Sequence, residues 1–193
     1  CKWQFLPYEK QLFYKEKQVE DQLKRIGKIE LPEISPIIES DKNTFYRNKL
    51  EFTFSNKKWL TEEEINSDKD FSNSDSLGFH APGMFDKVIN INKCWLQPDP
   101  SNQIRNFIYQ YALENNLEFF DIREKKGFLR TLIIRTTSTG ETMIILSLFH
   151  EDKNERINLL EAIKKAFPDL TSLMYVINEK GNDTITDQEI ILY

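Results

Sequence analysis

Two apolar segments joined by a short polar turn constrain the fold of this chain most strongly. Residues 128–136 and 141–149 are rich in β-branched and other apolar side chains, and the turn Thr-Ser-Thr-Gly at 137–140 lies between them. Segments of this length that flank a glycine-containing turn are typical of a β-hairpin. Because a hairpin pairs its strands antiparallel, the sequence predicts an antiparallel sheet.

The other predicted elements extend this hairpin. Residues 45–54 alternate in polarity, which predicts a half-buried strand whose Leu50, Phe52 and Phe54 face the core. Further strands are predicted at residues 77–80, 87–91, 172–178 and 190–193, and helices at 101–115, with Ser101 as N-cap, and at 153–167. This order predicts an α+β fold with a mainly antiparallel sheet, two packing helices and a long N-terminal helix.

The long N-terminal helix is predicted over residues 8–26, which contain neither Gly nor Pro, and Gly27 is expected to end it in a left-handed conformation. Its narrow apolar stripe consists of Leu12, Val19, Leu23 and Ile26. Such a stripe fits packing on the core of its own domain. It fits equally well packing on a neighbouring domain or on a second copy of the chain, so a dimer is one expected state.

The predicted domain division follows this helix. Residues 1–28 form a first segment, and residues 29–193 form the α+β domain, entered through a connector that Pro32 and Pro36 keep extended. Residues 59–76 are polar and acidic, which predicts an excursion with one short helix at 61–65. The acidic residues at 62–64 and 68–70 lack metal-ligand spacing and are expected to be solvated.

Composition limits the classes of protein to consider. The chain has 193 residues, a net charge of −5 and two cysteines. No apolar run is long enough to cross a bilayer, and two distant cysteines favour a reducing, cytoplasmic location. The acidic balance argues against a binder driven by charge alone, so any contact with RNA requires a local basic patch. Because the chain begins at Cys1 without a signal-peptide pattern, we interpret it as a segment of a longer protein.

Basic residues at the predicted strand ends are candidates for RNA contact. They lie beside Phe and Tyr, the combination that contacts phosphates and stacks on bases. The candidates are Arg47, Lys49, His80, Arg123, Lys125, Arg130 and Arg135. An alternative is a solvated sheet edge whose charges prevent aggregation, and His80 could equally form a hydrogen bond within the fold.

The two cysteines carry little information by themselves. A lone residue such as Cys94 is more often a small buried apolar side chain than a ligand. The sequence does not bring His80 or His150 next to Cys1 or Cys94, so it predicts no nucleophilic triad, and no catalytic residue is expected in this chain.

Several motifs together resemble one enzyme family, the bacterial RNA (uracil-5-)-methyltransferases that contain an iron–sulfur cluster. Cys-Lys-Trp-Gln at residues 1–4 resembles the end of the family's Cys-Gly-Gly-Cys-x-x-Gln motif. Tyr-Arg-Asn-Lys at 46–49, Gly-Phe-His at 78–80, the segment 88–94 that ends in Cys, and Gly-Phe-Leu-Arg at 127–130 resemble four further family motifs in the same order.

The resemblance implies a function for the chain as a central, RNA-facing segment of such an enzyme, most similar to the branch that acts on 23S rRNA. The family transfers a methyl group from S-adenosylmethionine to C5 of a uracil, and it holds a [4Fe–4S] cluster through four cysteines. By position, Cys1 is similar to the third ligand and Cys94 to the fourth. The first two ligands, the catalytic Rossmann-like domain and the N-terminal β-barrel domain have no counterpart in this sequence. The chain alone is therefore expected to be inactive and to hold no intact cluster.

Two alternatives remain open from the sequence. The parent enzyme could modify tRNA rather than rRNA. The chain could instead be a stand-alone α+β domain whose first helix docks on a partner protein.

Overall fold

A computed structural model describes residues 3–67, 71 and 74–193. The chain forms two compact units, one that ends at Thr44 and one that comprises Phe45–Tyr193. The boundary predicted between residues 28 and 29 falls inside the first unit.

The first unit contains helix α1, Tyr8–Asp21, which continues as a π-helical turn over Gln22–Ile26. The prediction that Gly27 adopts a left-handed conformation is wrong, because its φ is −70° and the positive φ, 50°, falls on Lys28. The π-helical turn explains the shift. The Gly27 N–H donates to the carbonyl of Gln22 at 2.9 Å, five residues back, so the right-handed conformation extends through Gly27.

Helix α1 buries none of its residues. In its apolar stripe, Val19 is 54% exposed and Ile26 is 79% exposed. The partner of this stripe, whether another domain or a second copy, remains a prediction.

The second unit is built on one seven-stranded sheet with the order β3-β2-β1-β4-β5-β6-β7. Its elements are β1 Lys49–Ser55, α2 Glu62–Ile65, β2 Ser76–His80, β3 Val88–Asn90, α3 Ser101–Glu114, β4 Leu129–Thr136, β5 Thr142–Leu148, α4 Lys153–Ala166, β6 Ser172–Ile177 and β7 Ile191–Leu192. Five of the six neighbouring strand pairs are antiparallel, and β5–β6 is the parallel pair. The predicted α+β fold with a mainly antiparallel sheet is confirmed.

The main core lies between the sheet and the helices α3 and α4. The alternation in β1 is confirmed, since Leu50, Phe52 and Phe54 are at most 3% exposed. They join a cluster that includes Ile104 and Ile108 of α3 and Leu160 and Ile163 of α4. Because one face of the sheet is covered in this way, the residues that alternate with this set point to the opposite face.

The sequence predicted the start of helix α2 correctly and the N-cap of helix α3 incorrectly. The short helix at 61–65 is confirmed as α2, and Thr61 and Glu64 form the two reciprocal hydrogen bonds of a capping box. The N-cap of α3 is Pro100, so the prediction of Ser101 as N-cap is wrong. The Ser101 hydroxyl instead donates to Gln97 Oε1 at 2.5 Å, and Gln97 Nε2 donates to the Ile134 carbonyl at 3.0 Å, which ties the helix start to β4.

Among the described residues, no helix is both long and apolar enough to cross a bilayer. The acidic residues predicted to be solvated at 68–70 lie outside the described residues.

Candidate nucleic-acid interface and the surroundings of Cys94

On the side opposite the helices, β1 and its neighbours β2 and β4 carry the predicted RNA-contact residues Lys49, His80 and Arg135, and we call this side the open face. At the beginning of β1, Lys49 is the register partner of Arg135 on β4. Arg47 lies just before the strand and is also exposed, and its backbone N–H donates to the Leu96 carbonyl at 2.8 Å. The sheet therefore brings three cations together, and we call Arg47, Lys49 and Arg135 the basic end.

The charges at the basic end are poorly compensated. Like charges directly opposite one another on two strands destabilise a sheet. Within the described ranges Lys49 forms one ion pair, with Glu51 at 3.4 Å, and both side chains are about two-fifths exposed, at 43% and 40%. An exposed pair of this kind contributes little. The basic end thus remains available to an anion such as a phosphate.

His80 lies on the open face, at the end of β2. Its ring is exposed, and Nε2 is 3.3 Å from the Oγ1 of Thr53 on the neighbouring strand. The His80 ring is therefore oriented by its hydrogen bond with Thr53 and is still accessible to solvent.

Arg123 lies in the turn between α3 and β4. Its Nε donates to Asp86 Oδ2 at 2.6 Å, and the guanidinium lies 5.2 Å above the ring of Phe85, which is 60% exposed. The hydrogen bond lowers the pKa of Asp86 and raises the pKa of Arg123. An exposed aromatic ring beside a fixed guanidinium is a typical platform for a nucleic-acid base.

The turn that carries Arg123 and Lys125 is organised by Asp121. Its carboxylate accepts hydrogen bonds from the backbone N–H of Arg123 and Glu124, at 2.9 and 3.1 Å, and from Lys57 Nζ at 3.1 Å. Burial alone would raise the pKa of Asp121, but these hydrogen bonds together hold that pKa well below its usual range. Lys125 is exposed on this turn with a φ of 52°.

Arg130 differs from the other six candidates because it is buried, at 1% exposure. It forms an ion pair with Asp183 at 2.9 Å and donates to the carbonyls of Asn178 and Lys180, both at 2.6 Å. The guanidinium also packs on the ring of Phe120, at 4.8 Å. The structure therefore gives Arg130 internal partners that hold the loop after β6, and its contact with RNA remains a prediction.

A small depression lies on the open face. It is lined by Thr53, Ser55, His80, Asp86, Arg130 and Asp183, among others. The buried guanidinium of Arg130 thus forms part of the wall of this depression, together with the exposed ring of His80. The sheet brings Arg47, Lys49, Arg135 and His80 to one face. Arg123 lies next to the depression, because its hydrogen-bond partner Asp86 lines it.

Aromatic residues next to the basic end were missed by sequence reasoning. Trp95 is 45% exposed, Lys93 Nζ lies 3.9 Å from its ring centroid, and the Phe45 ring lies 5.6 Å away. The Phe45 N–H donates to the Trp95 carbonyl at 2.8 Å, which joins this segment to the start of β1. The signal in the sequence was Tyr46 next to Arg47, but nothing in it showed that residues 93–96 lie alongside.

Cys94 is buried at 7% exposure and belongs to the main core. Its backbone N–H donates to Asn102 Oδ1 at 2.7 Å, and Asn102 Nδ2 donates to the Cys94 carbonyl at 3.1 Å. In the part of the chain that the structure describes, no group of three His, Cys, Asp or Glu side chains could hold a metal ion. Cys1 lies outside the described residues, so its pairing with Cys94 remains a prediction.

A buried arginine lies next to Cys94. Arg105 is 1% exposed, and its two terminal nitrogens donate to the side-chain oxygens of Asn102 and Asn106, each at 3.1 Å. Among the residues that the structure describes, its Nε has no hydrogen-bond partner, and the guanidinium lies 5.1 Å from the ring of Phe52. Burial lowers the pKa of Arg105, while the nearby Cys94 and Asp99 raise it.

The chain is similar along its whole length to curated proteins named as RNA methyltransferases. It is 55% identical to an uncharacterized RNA methyltransferase of Bacteroides thetaiotaomicron, and the match covers 100% of this chain and 43% of that protein. A protein of the same description from Porphyromonas gingivalis is 53% identical, again over 100% of this chain and 43% of that protein. The chain thus spans about two fifths of the length of the curated relatives it matches.

A solved structure shows the same fold. The Pyrococcus abyssi tRNA (uracil-54, C5)-methyltransferase in complex with S-adenosyl-L-homocysteine has a TM-score of 0.65 at 21% identity, and the match covers 98% of this chain and 40% of that chain. A comparison with models of known protein families finds no match.

Proposed function

We propose that this chain is the central, RNA-contacting segment of an S-adenosylmethionine-dependent RNA uracil-5-methyltransferase that acts on 23S rRNA. The observation that carries the proposal is the match of the entire chain to about two fifths of proteins named as RNA methyltransferases. The full-length protein that contains such a segment is called the longer protein here.

The fold of this chain and the ligand of the solved neighbour support the proposed class of reaction. The neighbour of known structure methylates C5 of a tRNA uracil and binds S-adenosyl-L-homocysteine, the product left by S-adenosylmethionine. Uracil C5 becomes nucleophilic after a thiolate adds to C6, and a base then removes the C5 proton. Since the described cysteine of this chain, Cys94, is buried, we expect both groups from another part of the longer protein.

The role of this chain in the reaction is to bind and orient RNA. The basic end supplies cations for phosphates, and exposed rings such as Phe85 and Trp95 supply surfaces for base stacking. We further propose, by the family resemblance, that Cys94 and Cys1 are two ligands of a [4Fe–4S] cluster in the longer protein. Asn102 links the backbone of Cys94 to the buried guanidinium of Arg105, and a nearby cation favours a thiolate.

The test is methyl transfer by the longer protein. Incubated with S-adenosylmethionine and unmodified 23S rRNA, it should form 5-methyluridine, detected by mass spectrometry of the digested RNA, whereas residues 1–193 alone should form none. Product in tRNA instead of rRNA would favour the second candidate, which the substrate of the solved neighbour supports. Methylation of another base or atom would overturn the uracil-5 assignment.

The basic end gives a prediction about RNA affinity. In the longer protein, Lys49→Ala combined with Arg135→Ala should weaken RNA binding and flatten its salt dependence. Each lost phosphate contact makes the negative slope of log K against log salt less steep by about 0.7 for a single strand. Binding is measured by titration at several salt concentrations.

The matched control removes two exposed lysines from α4, on the other side of the sheet, with Lys153→Ala and Lys165→Ala. This variant has the same net charge as the first and should keep the wild-type slope. Equal loss of affinity in both variants would show that overall charge, rather than the basic end, contacts RNA.

A further inference from the structure

Arg105 carries a buried charge that the described part of the chain does not balance. The side chain is 1% exposed, and its hydrogen-bond acceptors are the neutral amide oxygens of Asn102 and Asn106. Its Nε lacks any partner, and in the described ranges the guanidinium forms no ion pair. Taking an arginine out of water without an anion is unfavourable, and two amide acceptors offset only part of that cost. Such a group indicates that an anion belongs next to it.

Asn102 places this charge at Cys94. One oxygen, Asn102 Oδ1, accepts from both the Cys94 N–H at 2.7 Å and Arg105 Nη1 at 3.1 Å. The Asn102 Nδ2 also donates to the Cys94 carbonyl at 3.1 Å. The cysteine backbone and the guanidinium are therefore held by one side chain, which fixes their relative position.

Packing alone is a weaker explanation for Arg105. Its guanidinium lies over the ring of Phe52, a residue with 0% exposure, so the contact with the ring is desolvated. A leucine or methionine would fill the same volume without a charge to compensate. The nearby carboxylate of Asp99 is exposed and forms no ion pair with Arg105.

We infer that Arg105 is the buried counter-charge of an anionic, thiolate-ligated iron–sulfur centre that includes Cys94, an inference that rests on the proposed function. An iron–sulfur core bound by four thiolates has a net negative charge, which a neighbouring guanidinium stabilises. Arg105 is a positioning residue, since it acts on the cluster through charge and through Asn102. Charges and hydrogen bonds around a cluster set its reduction potential and its retention.

The experiment compares reduction potentials in the longer protein, purified without oxygen. Arg105→Gln should shift the potential of the cluster to more negative values, because the reduced cluster carries more negative charge and loses its compensating cation. It should also release iron faster. Arg105→Lys retains the positive charge and should stay closer to wild type in both measurements, which are made by redox titration of the visible absorbance and by iron content over time.

A second variant keeps the shape of the site. Asn102→Asp is isosteric and supplies an internal carboxylate to Arg105, so it should shift the potential in the same direction as Arg105→Gln. Wild-type potential and iron retention in Arg105→Gln or, should that variant not fold, in Asn102→Asp would overturn this inference while leaving the cluster assignment intact. A wild-type longer protein that binds no iron would overturn both.

Discussion

Replacement of Cys94 by serine in the longer protein is expected to reduce its iron content and visible absorbance to background. A serine hydroxyl is a poor ligand for iron–sulfur iron, so the cluster loses one of its four thiolates. The hydrogen bonds that hold residue 94 come from its backbone, through Asn102, and they persist in the variant. The loss should therefore be specific to the cluster. Iron is measured per polypeptide after anaerobic purification.

Cys94→Ala separates this expectation from the simpler role of a buried core residue. If Cys94 only fills the core, alanine leaves iron unchanged, and serine costs about 1–3 kcal/mol because it buries a hydroxyl. If Cys94 is a ligand, both variants lose iron equally. Full iron content in either variant would contradict the ligand assignment, and the methyltransferase proposal would then rest on the whole-chain similarity and on the open face.

The fold was predictable because periodicity reports burial directly. Alternation in β1 identified Leu50, Phe52 and Phe54 as core residues, and all three are buried. Errors occurred where a local bond moved a boundary by one residue. The π-helical bond from Gly27 to Gln22 displaces the left-handed residue to Lys28, and Gln97 accepts from the hydroxyl of Ser101, the predicted N-cap of α3.

The candidate site was only partly predictable, since its geometry depends on strand register. Lys49 and Arg135 are far apart in sequence and become opposite neighbours only through the β1–β4 pairing. Arg130 is a predicted contact residue whose burial the sequence did not predict. The β4–β5 register shifts between Leu129 and Thr131, and such an irregularity redirects the side chain of the intervening residue. The sequence pattern of β4 does not show that Arg130 is buried and that Arg135 is exposed.

Replacement of Arg130 by alanine is accordingly expected to destabilise the fold by about 2–6 kcal/mol. Two carbonyls, those of Asn178 and Lys180, lose a charged donor, and each loss of this kind costs about 1–3 kcal/mol. The packing of the guanidinium on Phe120 and Phe149 is lost as well, whereas Asp183 is 40% exposed and can return to water at little cost. The free energy of unfolding is measured by urea denaturation of the chain.

Arg135→Ala is the matched control on the same strand. Arg135 is exposed, so its loss should change the free energy of unfolding by no more than about 0.5 kcal/mol while weakening RNA binding in the longer protein. The two variants should thus differ in stability, which falls in Arg130→Ala and stays near wild type in Arg135→Ala. An Arg130→Ala variant of wild-type stability with weakened RNA binding would contradict the internal role, because the depression that Arg130 lines would then have to open towards RNA.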